Sequence, residues 1–242
     1  MNLQTEVIDV STIQVEIVRK NIKSMRIGVF PPSGRVRVSV PLSYELHLIE
    51  SVLLRKMTWI RRQQDAFQKQ ERQTPREAVS GETYYFKGNR YKLSIVDGRT
   101  RGQLRIKNSR CMELSISSAS NLTSRLLVIE RFYRKALMEE LQILIDRNSK
   151  LLAINNVEFS IRKMKNRWGS CNALTKKISF NLELIKKNPQ CINYIVIHEL
   201  VHILEPSHND NFKELMDKHL PNWRNIRDLL NTAPLAHANW DY

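Results

Sequence analysis

Glycine and cysteine are both scarce in this 242-residue chain. Its seven glycines are spread out, so there is no Gly-rich loop of the kind that cradles phosphates. The three cysteines, Cys111, Cys171 and Cys191, are an odd number without CxxC spacing. They fit reduced thiols in a cytoplasmic protein better than a disulfide framework. The longest apolar stretches fall far short of a membrane span, so no membrane partner is expected. Residues 1–10 hold no basic region followed by an apolar one, so no signal peptide is readable. Internal repeats, low-complexity tracts, a carboxylate cluster suited to Mg²⁺ and a DNA- or RNA-recognition motif are all missing from the sequence.

What is present is a globular composition with an uneven charge. A hydrophobic content of 42% and this length suit one large domain or two small ones. Residues 1–167 carry 31 Lys+Arg and 16 Asp+Glu, whereas residues 168–242 carry 8 of each. The whole excess of +15 therefore lies in the first two-thirds. Such an asymmetry points to an anionic partner or substrate, whether nucleic acid, nucleotide or an acidic protein surface. A surface charged for solubility accounts for it equally well.

The most specific signal is His198-Glu199-Leu200-Val201-His202, with His208 six residues further on. On a helix, positions i and i+4 stand ~6 Å apart along the axis and ~40° apart around it. Both imidazoles can then reach one ion, and neutral imidazole nitrogen suits Zn²⁺. Glu199 is not needed as a ligand, and its place suits a general base for a water held by the metal. His208 can supply a third ligand and leave a fourth position open, as catalytic zinc sites do. Chance placement would give His-Glu-x-x-His only about 0.01 times in such a chain, so a pair of satisfied core histidines is the weaker reading. The flanking run 192–204 is mostly apolar, which predicts a helix buried on several sides. Asn188 can cap it, Pro189 fits its first turn and Pro206 ends it.

Periodicity supplies the rest of the plan. The first 40 residues read as strands, from alternation at Ile13, Val15 and Ile17 and again over 35–40, with a turn at Pro31-Pro32-Ser33-Gly34. Helices are expected over 44–73, 124–152, 209–219 and 221–230. Further strands are expected over 83–86, 91–96, 103–107, 112–116, 157–163 and 177–182. The polar stretch 117–124 is a candidate linker. The order fits an α+β fold: a basic, β-rich N-terminal region over 1–120, then a metal-dependent hydrolase domain over 121–242 with a small sheet.

A second segment, Arg167-Trp168-Gly169-Ser170-Cys171, lies between two expected strands. Arg and Trp beside Gly-Ser suggest a shaped surface with close backbone approach, which makes Arg167, Trp168, Gly169 and Ser170 candidate substrate-binding residues. A tight turn anchored by a buried Trp is the plainer alternative. In zinc peptidases the strand that follows can pair by its free edge with an extended peptide. Cys171 reads as a small buried residue rather than a fourth ligand or a nucleophile. His47, His219 and His237 read as structural or exposed, with His219 the one to test as a transition-state stabiliser.

The Arg167–Cys171 run, then Ile178-Ser179-Phe180-Asn181, the motif with Tyr194 ahead of it, His208-Asn209-Asp210-Asn211-Phe212 and Pro221-Asn222-Trp223 together resemble the YgjP-like metallopeptidase family, related to the SprT-like zincins. The specific part of the resemblance spans about residues 160–231. It implies a zincin-type fold and metal-dependent hydrolysis, with His198, His202 and His208 as ligands and Glu199 as the catalytic carboxylate. The spacing also matches metzincins, but Glu205 stands where their turn glycine would be and no Met-turn is evident.

Three functions compete. A zinc metallopeptidase acting on peptide or protein leads. A metal-dependent nucleoside triphosphate pyrophosphatase or phosphohydrolase would suit the basic charge but lacks a phosphate loop. A nucleic-acid-binding protein with a structural zinc would leave Glu199 without a role.

Overall fold

The computed structural model describes residues 5–30, 33–69, 76–98, 102–164 and 167–232. They divide into two compact units, with the division between Gln73 and Thr74.

In the first unit, period-2 alternation builds a sheet with one apolar face. Strands β1 (Thr5–Val10), β2 (Ile13–Lys20), β3 (Arg26–Phe30) and β4 (Arg35–Pro41) are ordered β1-β2-β4-β3. The central pair β2/β4 is parallel and the outer pairs are antiparallel. Val15, Ile17, Val36, Val38 and Val40 form the buried face, and helix α1 (Leu46–Lys69) lays Ile49, Leu53 and Ile60 against it. Gly34 (φ +76°) takes the left-handed turn before β4, and Gln64 Nε2 donates to its carbonyl at 2.9 Å. Pro31, Pro32 and the last residues of the expected 44–73 helix lie outside the described residues.

The second unit begins with the same plan. Strands β5 (Thr83–Phe86), β6 (Asn89–Asp97), β7 (Gln103–Asn108) and β8 (Cys111–Ile116) are ordered β5-β6-β8-β7, again with a parallel central pair. A long helix, α2 (Leu122–Leu151), follows. Four strands and a helix thus occur twice in one topology, although the sequence shows no repeat. Only the apolar alternation is common to both copies, and alternation is shared by unrelated strands.

The boundary expected at residue 120 falls inside the second unit. Val128, Tyr133 and Leu137 of α2 share one core with Leu104, Met112 and Leu114 of the sheet before it. The polar stretch that suggested a linker is a turn leading into the capped start of α2, where Asn121 Oδ1 accepts from the Ser124 N–H at 2.9 Å.

The remainder carries the motif. Strands β9 (Glu158–Arg162), β10 (Gly169–Asn172) and β11 (Lys177–Asn181) form a sheet ordered β10-β11-β9. The strand expected to reach Leu182 stops at Asn181, and Leu182–Lys186 is a 3-10 turn. The connection expected around Gly169 is itself the edge strand β10. Helices α3 (Pro189–Leu204), α4 (Asp210–His219) and α5 (Trp223–Thr232) complete the unit. Helix α3 packs against β10, α2, α4 and α5. Its Ile192, Val196, Leu200 and Val201 are fully buried, as the apolar run predicted. The fold is α+β, and none of its described helices is long and apolar enough to cross a membrane.

Candidate metal centre

Helix α3 begins and ends where its sequence dictates. Asn188 Oδ1 accepts from the Gln190 N–H at 3.0 Å, Pro189 occupies the first turn, and the Glu205 N–H closes on the Val201 carbonyl at 2.8 Å before Pro206. His198 and His202 stand one turn apart with ring centroids 4.8 Å from each other. After Pro206 the chain doubles back. His208 Nε2 then lies 3.1 Å from His198 Nε2. The next residue, Asn209, caps α4 by accepting from the Phe212 N–H at 3.0 Å. That cap seats Phe212, buried, against all three imidazoles, with centroids 5.0, 4.8 and 4.7 Å away from those of His198, His202 and His208.

The donor set fits a metal ion. One ligand atom from each histidine lies within 4.8 Å of the others. Nitrogens sharing a tetrahedral ion at ~2.05 Å lie ~3.3 Å apart, close to the 3.1 Å between the Nε2 atoms of His198 and His208. Burial pushes His198 down to about 3 and also lowers His202, so both rings are neutral near pH 7, the form that ligates. The Nδ1–H of His202 faces the Glu205 carbonyl at 3.2 Å, which leaves its Nε2 for a ligand. His198 Nδ1 is buried and makes no hydrogen bond among the described residues.

Glu199 sits on the same helix, 5% exposed, with no hydrogen bond or ion pair among the described residues. Burial pushes its carboxyl up to about 7, opposed by the field of Arg167. Strand β10 passes directly over it. A Cβ built at Gly169 would lie 2.5 Å from Glu199 Oε1, which is the close backbone approach the sequence suggested. The segment before β10 is pinned by the buried Asn181. Its amide donates to the carbonyls of Met164 (2.8 Å) and Arg167 (2.9 Å), and its oxygen accepts from the Glu183 N–H (3.2 Å). The Lys187 ammonium stands 5.2 Å over the Trp168 ring.

These elements enclose a cleft of about 630 Å³. Arg167, Trp168, Gly169 and Ser170 all line it, as do Glu199 and the three histidines. Cys171 is in its wall but outside the histidine cluster, and burial pushes its thiol up to about 11, away from the reactive thiolate. His219 ends α4 and does not line the cleft, His47 is exposed at the start of α1, and His237 lies outside the described residues. Sequence reasoning gave no role to Tyr194, Phe212, Asn181 or Arg227. Tyr194 carried a signal, since it stands four residues before His198 and therefore on the same helix face. Arg227 carried none, because α5 reaches the cleft only through packing on α3.

A helix-borne His-Glu-x-x-His motif, a third histidine folded back on it and an edge strand beside the carboxylate define the class of metal-dependent hydrolases. The sequence pattern of the YgjP-like, metallopeptidase domain matches residues 23–233, and the chain belongs to that family. It is accordingly a metallopeptidase by class. Its structure is similar to the metallopeptidase zymogen abylysin of Pyrococcus abyssi (22% identity, TM-score 0.36, covering 38% of this chain and 92% of that one). It is also similar to the zymogen jannalysin of Methanocaldococcus jannaschii (21% identity, TM-score 0.34, covering 37% and 92%). No curated protein matches the chain.

Proposed function

We propose that the protein is a zinc-dependent peptidase in which His198, His202 and His208 hold the ion and Glu199 is the general base. The observation that carries this is a carboxylate only 5% exposed, with no hydrogen bond or ion pair among the described residues, beside three converging imidazoles. A buried carboxylate without a partner is costly, and a neighbouring cation offsets that cost. Zn²⁺, when bound, supplies Lewis-acid polarisation of the scissile carbonyl.

The chain's own residues do the rest. Glu199 Oε takes the proton of the attacking water and delivers it to the leaving amine nitrogen, and a carboxyl near 7 is matched to that transfer at neutral pH. Strand β10 is the edge of its sheet, so its outer backbone groups can bind an extended peptide as an added strand. Arg167, Trp168, Gly169 and Ser170 then face the substrate across the cleft. The three free cysteines support a reducing, cytoplasmic setting.

The test compares zinc-loaded wild type with Glu199→Gln on a peptide library and a nucleotide panel. We expect peptide cleavage that falls ~10²-fold or more in the variant, with zinc retained. Equal activity in the two proteins overturns the role of Glu199. A nucleoside triphosphate is the second reading, favoured by the arginines that line the cleft. Binding of nucleic acid or another polyanion by the basic first two-thirds is a separate reading, and steep loss of binding with added salt would support it.

A further inference from the structure

Helix α5 closes one side of the cleft with an aromatic platform. Trp223, Ile226 and Leu230 are buried, and Trp223 Nε1 donates to Asp217 at 2.8 Å. The Trp223 indole stacks on the Tyr194 ring, interplanar angle 4° and centroids 6.4 Å apart. Arg227, one turn after Trp223, places its guanidinium 5.4 Å over the same indole and lines the cleft. Tyr194, in turn, is one turn before His198, 5.7 Å from it by ring centroids.

The two arginines of α5 differ. Arg224 also lies over Trp223, but its guanidinium is taken by both oxygens of Asp217. Among the described residues Arg227 is paired only with the adjacent Asp228, at 3.2 Å, where the two side chains are 46% and 66% exposed. Such a pair is weak and easily exchanged. The Tyr194 hydroxyl donates to no described residue. Arg227 and Tyr194 therefore present a set of N–H donors and one O–H donor, held on a rigid indole, to a cleft in which Glu199 is the one carboxylate among the described lining residues. An acceptor-only group that can take a bidentate guanidinium is what this set recognises.

We propose that Arg227 and Tyr194 form a carboxylate subsite that makes this peptidase prefer substrates with a carboxylate close to the scissile bond. The inference rests on the peptidase reading above. The carboxylate could be a Glu or Asp side chain or a free C-terminus, and the two are separable.

The experiment uses the full zinc-loaded chain and fluorogenic peptides in three pairs: Glu against Gln at positions flanking the cleaved bond, free against amidated C-terminus, and Glu against Lys. Nucleoside triphosphates are run in parallel. We expect kcat/KM at least tenfold higher for the carboxylate member of the first or second pair, and which pair responds identifies the source. Arg227→Gln should bring that ratio to near one with zinc content unchanged. Arg227→Glu should reverse the third pair, an outcome that a merely structural role for Arg227 would not produce. Tyr194→Phe should lower the ratio less than Arg227→Gln does. Peptide cleavage with ratios near one in wild type, or ratios unchanged in Arg227→Gln, overturns the subsite and leaves the peptidase reading standing. Hydrolysis of nucleoside triphosphates with no peptide cleaved, or no hydrolysis of either class by zinc-loaded protein, overturns the peptidase reading and the subsite with it.

Discussion

Gly169 leaves no room for a side chain, and the residue that would be struck is Glu199. In Gly169→Ala the new methyl carbon would stand 2.5 Å from Oε1 and 2.7 Å from both Cδ and Cγ of that glutamate. Ordinary contact begins at 3.4 Å, so strand or carboxylate must move by about 0.9 Å. The carboxylate cannot swing freely, because Glu199 is 5% exposed on a helix packed against β10, α2, α4 and α5. Overpacking of this kind costs about 1–3 kcal/mol, which for a chain of this size lowers Tm by very roughly 2–12 °C. The effect on turnover should be larger. A misplacement near 1 Å at the reacting groups costs about 10²-fold. The expected outcome is a folded, zinc-replete protein with kcat down ~10²-fold. Glu199→Ala removes the struck atoms, so the stability loss should vanish when Gly169→Ala is made in that background. Circular-dichroism melts, metal analysis and steady-state kinetics on the four proteins complete the cycle. Wild-type kcat in Gly169→Ala, or an undiminished stability loss in the Glu199→Ala background, would refute the reasoning.

The proposed metal ligands give a direct test by elemental analysis. Wild type should carry about one zinc per chain, and His198→Ala, His202→Ala and His208→Ala should each lose most of it; unchanged content in any of the three removes that residue from the ligand set. Lys187 gives a test by pH. Burial pushes its ammonium down to about 8 from the ordinary 10.5, with Glu183 and Cys191 opposing the shift. Below pH 8 the group is charged whether folded or not, and its desolvation opposes folding. Between pH 8 and 10.5 the folded form releases its proton first, so stability rises with pH. Relative to Lys187→Met, wild type should gain on the order of 2 kcal/mol across that window by chemical denaturation. A flat difference would show that the lysine is not desolvated.

Most of helix α3 was legible, for a local reason. Caps, the apolar run and the i,i+4 histidines all act within one helix, and Asn188, Pro189 and Pro206 mark its ends without help from the rest of the chain. That His208 would join the other two histidines was legible only by its spacing, because the turn that returns it depends on Pro206 and on the cap at Asn209. What β10 does to Glu199 was half legible. Gly169 signalled a close approach, but not what approaches it, since that depends on pairing with β11 and packing on α3. The role of Asn181 was not legible at all. A polar residue ending a strand resembles any turn residue until the carbonyls of Met164 and Arg167 converge on it. The doubled four-strand plan was hidden for the same reason, because strand order is set by pairing rather than by composition.

The wall that Phe212 makes against the three imidazoles bears on the order in which the site is assembled. His202 is oriented by a carbonyl, but His198 has no hydrogen-bonding partner among the described residues for its buried nitrogen and is held by the rings of Tyr194 and Phe212 instead. The orientation of that imidazole is thus set by the packing of the apolar core, with no cation needed to hold it. Small zinc modules work the other way, since their chains collapse only around the ion. With these histidines as the proposed ligands, the entropy of arranging them is lost during folding, and loading would be a separate, reversible event on a finished mould. A chelator should therefore strip this protein without unfolding it, and readdition of zinc should restore the holo state without a refolding step.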